Sequence, residues 1–183
     1  MFCLFASATL IWSTKQQQHK STMTKDDKEK SIAVAVSDDG FRWFKRGICL
    51  QPGEEGSLDD AGCARCNVVR NAFFDQDENV WKDAPGYTML YEGVSSEDNK
   101  HRIFMAESID GRKWNKKGVV LDLGDDGAWD CDGVGSPHVL RMDDGSQRLY
   151  YVGQNGADTA IGVARVEANS NEWAREQTAI VFA

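Results

Sequence analysis

From residue 31 onward the chain alternates short apolar runs with turns rich in glycine and aspartate. Residues 32–37 (IAVAVS) form a β-rich run closed by Asp38-Asp39-Gly40, and a second extended piece carrying Trp43 follows to residue 50, so the two read as a hairpin. After a Gly/Asp loop at 51–62, strands are expected at 67–72, 86–93 and 102–108, with a polar insertion at 75–85. The same order then returns: turn 110–111, strand 114–121, loop 122–133, strand 134–142, turn 143–145 and strand 148–153. Runs at 159–166 and 172–182 complete a set of about ten strands, and no segment carries a helical period. Residues 13–30 are polar and lack apolar periodicity; with the short apolar run at 1–12 they read as a disordered or targeting leader spanning residues 1–30.

The recurrence of order is a recurrence of sequence. Sliding the chain by 71 residues lays residues 35–70 over 106–141 without a gap and gives 14 identities in 36 positions, concentrated in glycines, aspartates and tryptophans. Asp59 falls on Asp130, Trp43 on Trp114, and Arg70 on Arg141. A weaker echo sets Tyr91-Glu92-Gly93 against Tyr151-Val152-Gly153 and residues 103–106 against 161–164. A period of this size with four short strands per unit predicts an all-β fold of propeller blades, each of four antiparallel strands. Residues 31–183 then make two blades and the outer half of a preceding one. That is too few to close a ring, so further blades or copies of the chain are expected to complete it.

Composition narrows the partners. The net charge is −8 and no basic patch stands out, which excludes a nucleic-acid footprint. No apolar run reaches the length of a membrane span. Five cysteines cannot pair completely. Cys63 and Cys66 form a CxxC, but they fall on Val134 and Pro137 of the other repeat and nothing completes a four-ligand set, so free thiols and no metal or cofactor are expected.

The elements Ser37 to Trp43 and Ser108 to Trp114 (SxDGxxW), Gly127 to Met142 (GAWDCDGVGSPHVLRM) and Arg148 to Gly153 (RLYYVG) resemble the five-bladed β-propeller glycosidases of glycoside hydrolase families 43 and 32. The resemblance is nearest to the arabinanase/levansucrase/invertase-like proteins of plants and algae, and covers the C-terminal half of such a protein. It implies a carbohydrate partner and hydrolysis of a glycosidic bond by paired carboxylates at the axial start of the innermost strands. The departure lies at Gly135-Ser136-Pro137 and Ala64-Arg65-Cys66, where no carboxylate stands at the family's positions. A non-catalytic propeller binding a glycan or a protein is the alternative.

Candidate residues follow from position in the repeat. Asp130, Asp132 and Glu92 are the carboxylates placed for catalysis, Asp132 and Glu92 because the other repeat lacks them (Ala61 and Val152). Asp59, Trp129, His138, Arg141 and Arg70 are candidates for substrate contact. Each has a competing role in the architecture: turn-forming aspartates, a solvated strand-end glutamate, a core histidine and inter-blade arginines. Trp43 and Trp114, which recur after each DG turn, read as blade packing.

Overall fold

The computed structural model describes residues 8–15 and 30–176. Eleven strands run in chain order: β1 (Ala8–Lys15), β2 (Lys30–Ser37), β3 (Phe44–Leu50), β4 (Gly62–Asp75), β5 (Val80–Val94), β6 (His101–Ser108), β7 (Asn115–Leu121), β8 (Gly133–Arg141), β9 (Gln147–Asn155), β10 (Asp158–Val166) and β11 (Ala174–Arg175). No helix occurs among the described residues. β4 to β7 form one four-stranded antiparallel meander and β8 to β11 a second, while β1, β2 and β3 pair as part of a third. Consecutive meanders touch through one parallel pair each, Lys30↔Gly62 and His101↔Gly133, which are 71 residues apart on both sides. The fold is a partial β-propeller, as the repeat predicts.

Both faces of the middle blade are buried, which explains why its strands are apolar in runs rather than in strict alternation. Met89 and Tyr91 of β5, with Phe104 and Ala106 of β6, pack toward Ile32 and Leu50 of the first blade. Their sequence neighbours Leu90 and Ile103 pack the other way, against Val134, Val139, Leu149 and Tyr151 of the third blade. The period of two is therefore intact, but each parity faces a different neighbour.

The turn between the third and fourth strands is built identically in two blades. Ser37 Oγ accepts from the Gly40 amide at 2.8 Å and Ser108 Oγ from the Gly111 amide at 2.8 Å, while Asp39 and Asp110 each accept two amides further on. Gly40 and Gly111 sit at φ of 77° and 71°, a region that disfavours side chains. The indole N–H groups of Trp43 and Trp114 donate back to the carbonyls of these glycines at 3.1 Å. The two tryptophans thus fasten the turn, in keeping with a packing role.

The polar insertion at 75–85 carries strand structure: β4 and β5 run on as a long hairpin, because Phe74 and Trp81 are cross-strand partners with ring centroids 5.4 Å apart and Lys82 pairs with Asp75 at 2.6 Å. Residues 8–15, read from sequence as leader, lie as β1 antiparallel to β2. The last strand is described only at Ala174–Arg175, and the remainder of the expected run to residue 182 lies outside the described residues, as does most of the leader.

Each complete blade also contains a buried carboxylate lock. Asp59, in the loop before β4, accepts from Tyr91 Oη at 2.9 Å and Lys116 Nζ at 2.5 Å. Asp130, before β8, accepts from Tyr151 Oη at 2.9 Å and Arg175 Nε at 2.8 Å. The pair is charge-assisted and nearly solvent-free on the acid's side, 5% and 1% exposed for the two aspartate side chains. Beside the locks the blades trade volume. Phe104 stacks on Tyr91 in one blade; in the other that strand position is Gly162, and Trp129 from the loop stacks on Tyr151 instead, at 5.6 Å.

Two substitutions test this packing by urea denaturation followed through tryptophan fluorescence. Tyr151→Phe removes one donor to a buried carboxylate and is expected to cost about 1.5–3 kcal/mol. Gly162→Ala places a Cβ 2.5 Å from Trp129 Cη2 and 2.6 Å from Tyr151 Cζ, an overpacking expected to cost about 1–3 kcal/mol. A Gly162→Ala protein as stable as the parent would show that Trp129 does not fill that space.

Candidate functional site

The innermost strands of the two complete blades, β4 and β8, break register near their starts. The irregularity lies between Ala64 and Asn67 in β4 and between Gly135 and His138 in β8. At its centre Arg65 and Ser136, which occupy the same place in the repeat, adopt φ of 40° and 52°. Non-glycine residues pay roughly 1–3 kcal/mol for such backbone, and it persists where the surroundings hold it. Here the holding group is Glu92.

Glu92 stands near the end of β5, where the seam between the second and third blades meets the starts of their inner strands. Its Oε1 accepts from Arg65 NH1 at 2.6 Å and lies 2.6 Å from His101 Nδ1, and its Oε2 accepts from the backbone amide of Ser136 at 2.9 Å. Gly135 lets the carboxylate come this close, since a Cβ there would lie 2.2 Å from Oε2. Glu92 is 1% exposed, so the expectation of a solvated strand-end glutamate is corrected: the strand ends in an inter-blade seam. Burial by itself raises a carboxyl pKa, but His101, Arg65 and the Ser136 amide outweigh it and hold Glu92 down to about 2. The group is therefore an anion at neutral pH.

Above the anion, Arg65 and His101 are partly open to solvent, with side chains 57% and 39% exposed. Beside them His138 is exposed, in contrast to the core role weighed for it, and its Nδ1 lies 3.3 Å from Asn67 Nδ2 of the neighbouring inner strand. Asn67 Oδ1 also accepts the Val139 amide at 3.0 Å, so the Asn67–His138 pair bridges the seam. Asp132 lies at the rim, where it accepts the Gly156 amide at 2.8 Å and pairs with Lys100 at 3.2 Å; both contacts lower its pKa, the amide more. Lys100 and Asp132 directly precede the His101↔Gly133 pair, which makes rim and anion one continuous surface.

The other sequence candidates are placed elsewhere. Asp59 and Asp130 are buried in the blade locks, and Trp129 is half-buried on Tyr151. Arg141 donates from NH2 to the carbonyl oxygen of Arg70 across the seam, further along the inner strands, and Arg70 lies 3.9 Å from Asp83. Arg65, His101, Ser136 and Asn67 were not singled out from sequence. A signal did exist for Arg65 and Ser136, since they occupy one repeat position with unlike chemistry. The four described cysteines are free, and burial raises Cys49 and Cys66 to about 11 and Cys63 to about 12, so the CxxC is a pair of inert thiols. No metal-holding group of side chains occurs among the described residues.

Four-stranded blades joined by single parallel contacts, with the inner strands side by side, define a partial β-propeller. Among solved structures, a family 117 glycoside hydrolase from the marine bacterium Zobellia galactanivorans superposes with a TM-score of 0.71 at 17% identity, over 94% of this chain and 52% of that one. Fructan 1-exohydrolase IIa from Cichorium intybus gives 0.60 at 18% identity, over 92% and 30%. The β-1,2-mannobiose phosphorylase from Listeria innocua, in complex with β-1,2-mannobiose, gives 0.60 at 18%, over 84% and 38%. This chain therefore spans about half the length of the first of these and less of the others. The sequence matches no protein-family model and no curated protein.

The charge on Glu92 makes a pH prediction. Its folded pKa, about 2, lies below the unfolded value of 4.5, so its stabilisation is complete above pH 4.5 and is lost as pH falls toward 2. Denaturant midpoints of the parent and of Glu92→Gln are expected to differ most above pH 4.5 and to converge progressively as pH falls from 4.5 to about 2. A constant difference across that range would refute the low folded pKa.

Proposed function

We propose that this chain forms part of a carbohydrate-active propeller that receives a glycan at its axial surface, over Arg65, His101, Asn67, His138 and Asp132. The observation that carries the reading is the Glu92 cluster: an anion present in one blade only, buried at the head of the inner strands and aiming two donors at solvent. Guanidinium, imidazole, amide and carboxylate groups near one another at the head of the inner strands are the chemistry that hydroxyl-rich ligands require. The solved structures with this fold act on glycosidic bonds, which supports the same ligand class for the parent propeller.

Within these blades the geometry favours binding over bond cleavage. Hydrolysis needs one carboxyl that donates a proton and a second that attacks or activates water. Glu92 is charged and covered by Arg65 and His101, so its part is to position those two groups. Asp130 is occupied by Tyr151 and Arg175, and Gly135-Ser136-Pro137 brings no carboxylate. Asp132 remains as the exposed acid at the rim. Glycosidic hydrolysis by the parent then draws its proton donor from blades beyond these.

Binding and cleavage are separated by glycan-array screening and calorimetry on the full chain, with nitrophenyl glycosides as hydrolysis substrates. The expected result is binding of a neutral oligosaccharide, weakened about tenfold or more by Arg65→Ala or His101→Ala, without turnover. Turnover abolished by Asp132→Asn would instead establish catalysis within these blades. Absence of both binding and turnover, in a protein with a cooperative melt, would sink the carbohydrate reading.

A further inference from the structure

Between the second and third blades, toward the β4–β5 hairpin and away from Glu92, lies a cleft of about 340 Å³. This is a size that small-molecule sites commonly have. Trp81 and Trp173 contribute indoles to its wall, Gln147 and Asn171 amides, and Arg70 and Arg141 guanidinium groups. Trp81 is engaged by the Arg141 guanidinium, 5.2 Å from its ring centroid, and by Phe74, while Trp173 is half-buried against the core between the blades and is the other ring in the wall.

Arg141 is the unusual member. Its NH2 donates to the Arg70 carbonyl, and its Nε is buried with no hydrogen-bond partner among the described residues. Asp83, the carboxylate whose field reaches it, stands 3.9 Å from Arg70 instead. Burial lowers the Arg141 pKa below the usual arginine value, and Asp83 opposes this without cancelling it. A half-buried guanidinium whose nearest carboxylate stands at Arg70 favours an anion, and a carboxylate can pair with its terminal N–H groups that Arg70 leaves free, Nε being shielded from solvent. Glu107 also lines the cleft, so its two guanidinium groups stand in a wall of mixed charge, within a chain of net charge −8 where an anion meets repulsion over most of the surface.

We propose that this cleft is a second binding site, for a sugar ring that carries a carboxylate, such as a hexuronate, with the ring on Trp173 and the carboxylate against Arg141. The cleft shares Asn67 with the axial surface, while Arg65, His101, His138 and Asp132 do not line it.

The test titrates the full chain with glucuronate and with glucose, by calorimetry and by the fluorescence of the cleft tryptophans. Glucuronate is expected to bind at least about tenfold more tightly than glucose, and Arg141→Gln to reduce it to the level of glucose. Should Arg141→Gln lose its cooperative melt, Trp173→Leu decides, with weakened glucuronate binding and a lost fluorescence change expected. Equal affinities for the two sugars, or no glucuronate binding at millimolar concentration, would overturn the proposal. So would glucuronate binding that Arg65→Ala abolishes and Arg141→Gln leaves intact, since the carboxylate would then be held axially.

Discussion

The structure depends on a buried aspartate in each complete blade and on what that charge demands. A carboxylate removed from water must be met by donors, and Asp59 and Asp130 each collect theirs from two other strands: a tyrosine from the second strand of the blade and a cation from the fourth. One charge thus joins the loop that feeds the inner strand to both the middle and the outer edge of the blade. The loop itself closes through Gly53 and Gly124, whose amides donate to the carbonyls of Asp59 and Asp130 at 3.2 Å. No larger residue fits there, because a Cβ would lie 2.3 and 2.0 Å from the aspartate Oδ1 atoms. The repeated glycines and aspartates are one device written twice.

That is why the fold was legible. Residues that recur at a spacing of 71 are those the lock, the SxDG turn and the parallel blade contact require, and they announce a blade before any strand is assigned. The elements that were missed lack this support. The long β4–β5 hairpin occurs in one of the two complete blades, and its pairing rests on Phe74 and Trp81 at a stretch of charged residues that reads only as a polar insertion. The trade of Phe104 for Trp129 was invisible because the two rings come from different segments and only packing equates them.

The candidate site was legible in part, for the same reason reversed. Non-repetition drew attention to Glu92 and Asp132; Glu92 is buried beneath Arg65 and His101, and Asp132 lies at the rim beside them. Sequence could not show that the end of β5 is an inter-blade seam, so the burial of Glu92 and the exposure of His138 were each read the wrong way round. Arg65 and Ser136 share a repeat position and differ in kind: one serves Glu92 with a side chain, the other with a backbone amide. An amide leaves no mark in a sequence.

The location of Glu92 has a mechanical corollary. Its three partners belong to β4, β6 and β8, so the carboxylate is held by two blades at once, at distances of 2.6–2.9 Å that tolerate little slack. Any rotation of one blade against the other stretches this joint before it disturbs the apolar seam beneath. Arg65, His101 and Asn67 stand on the second blade and His138 and Asp132 on the third, so the spacing across the seam of the groups proposed to meet a ligand is a gauge of the angle between neighbouring blades.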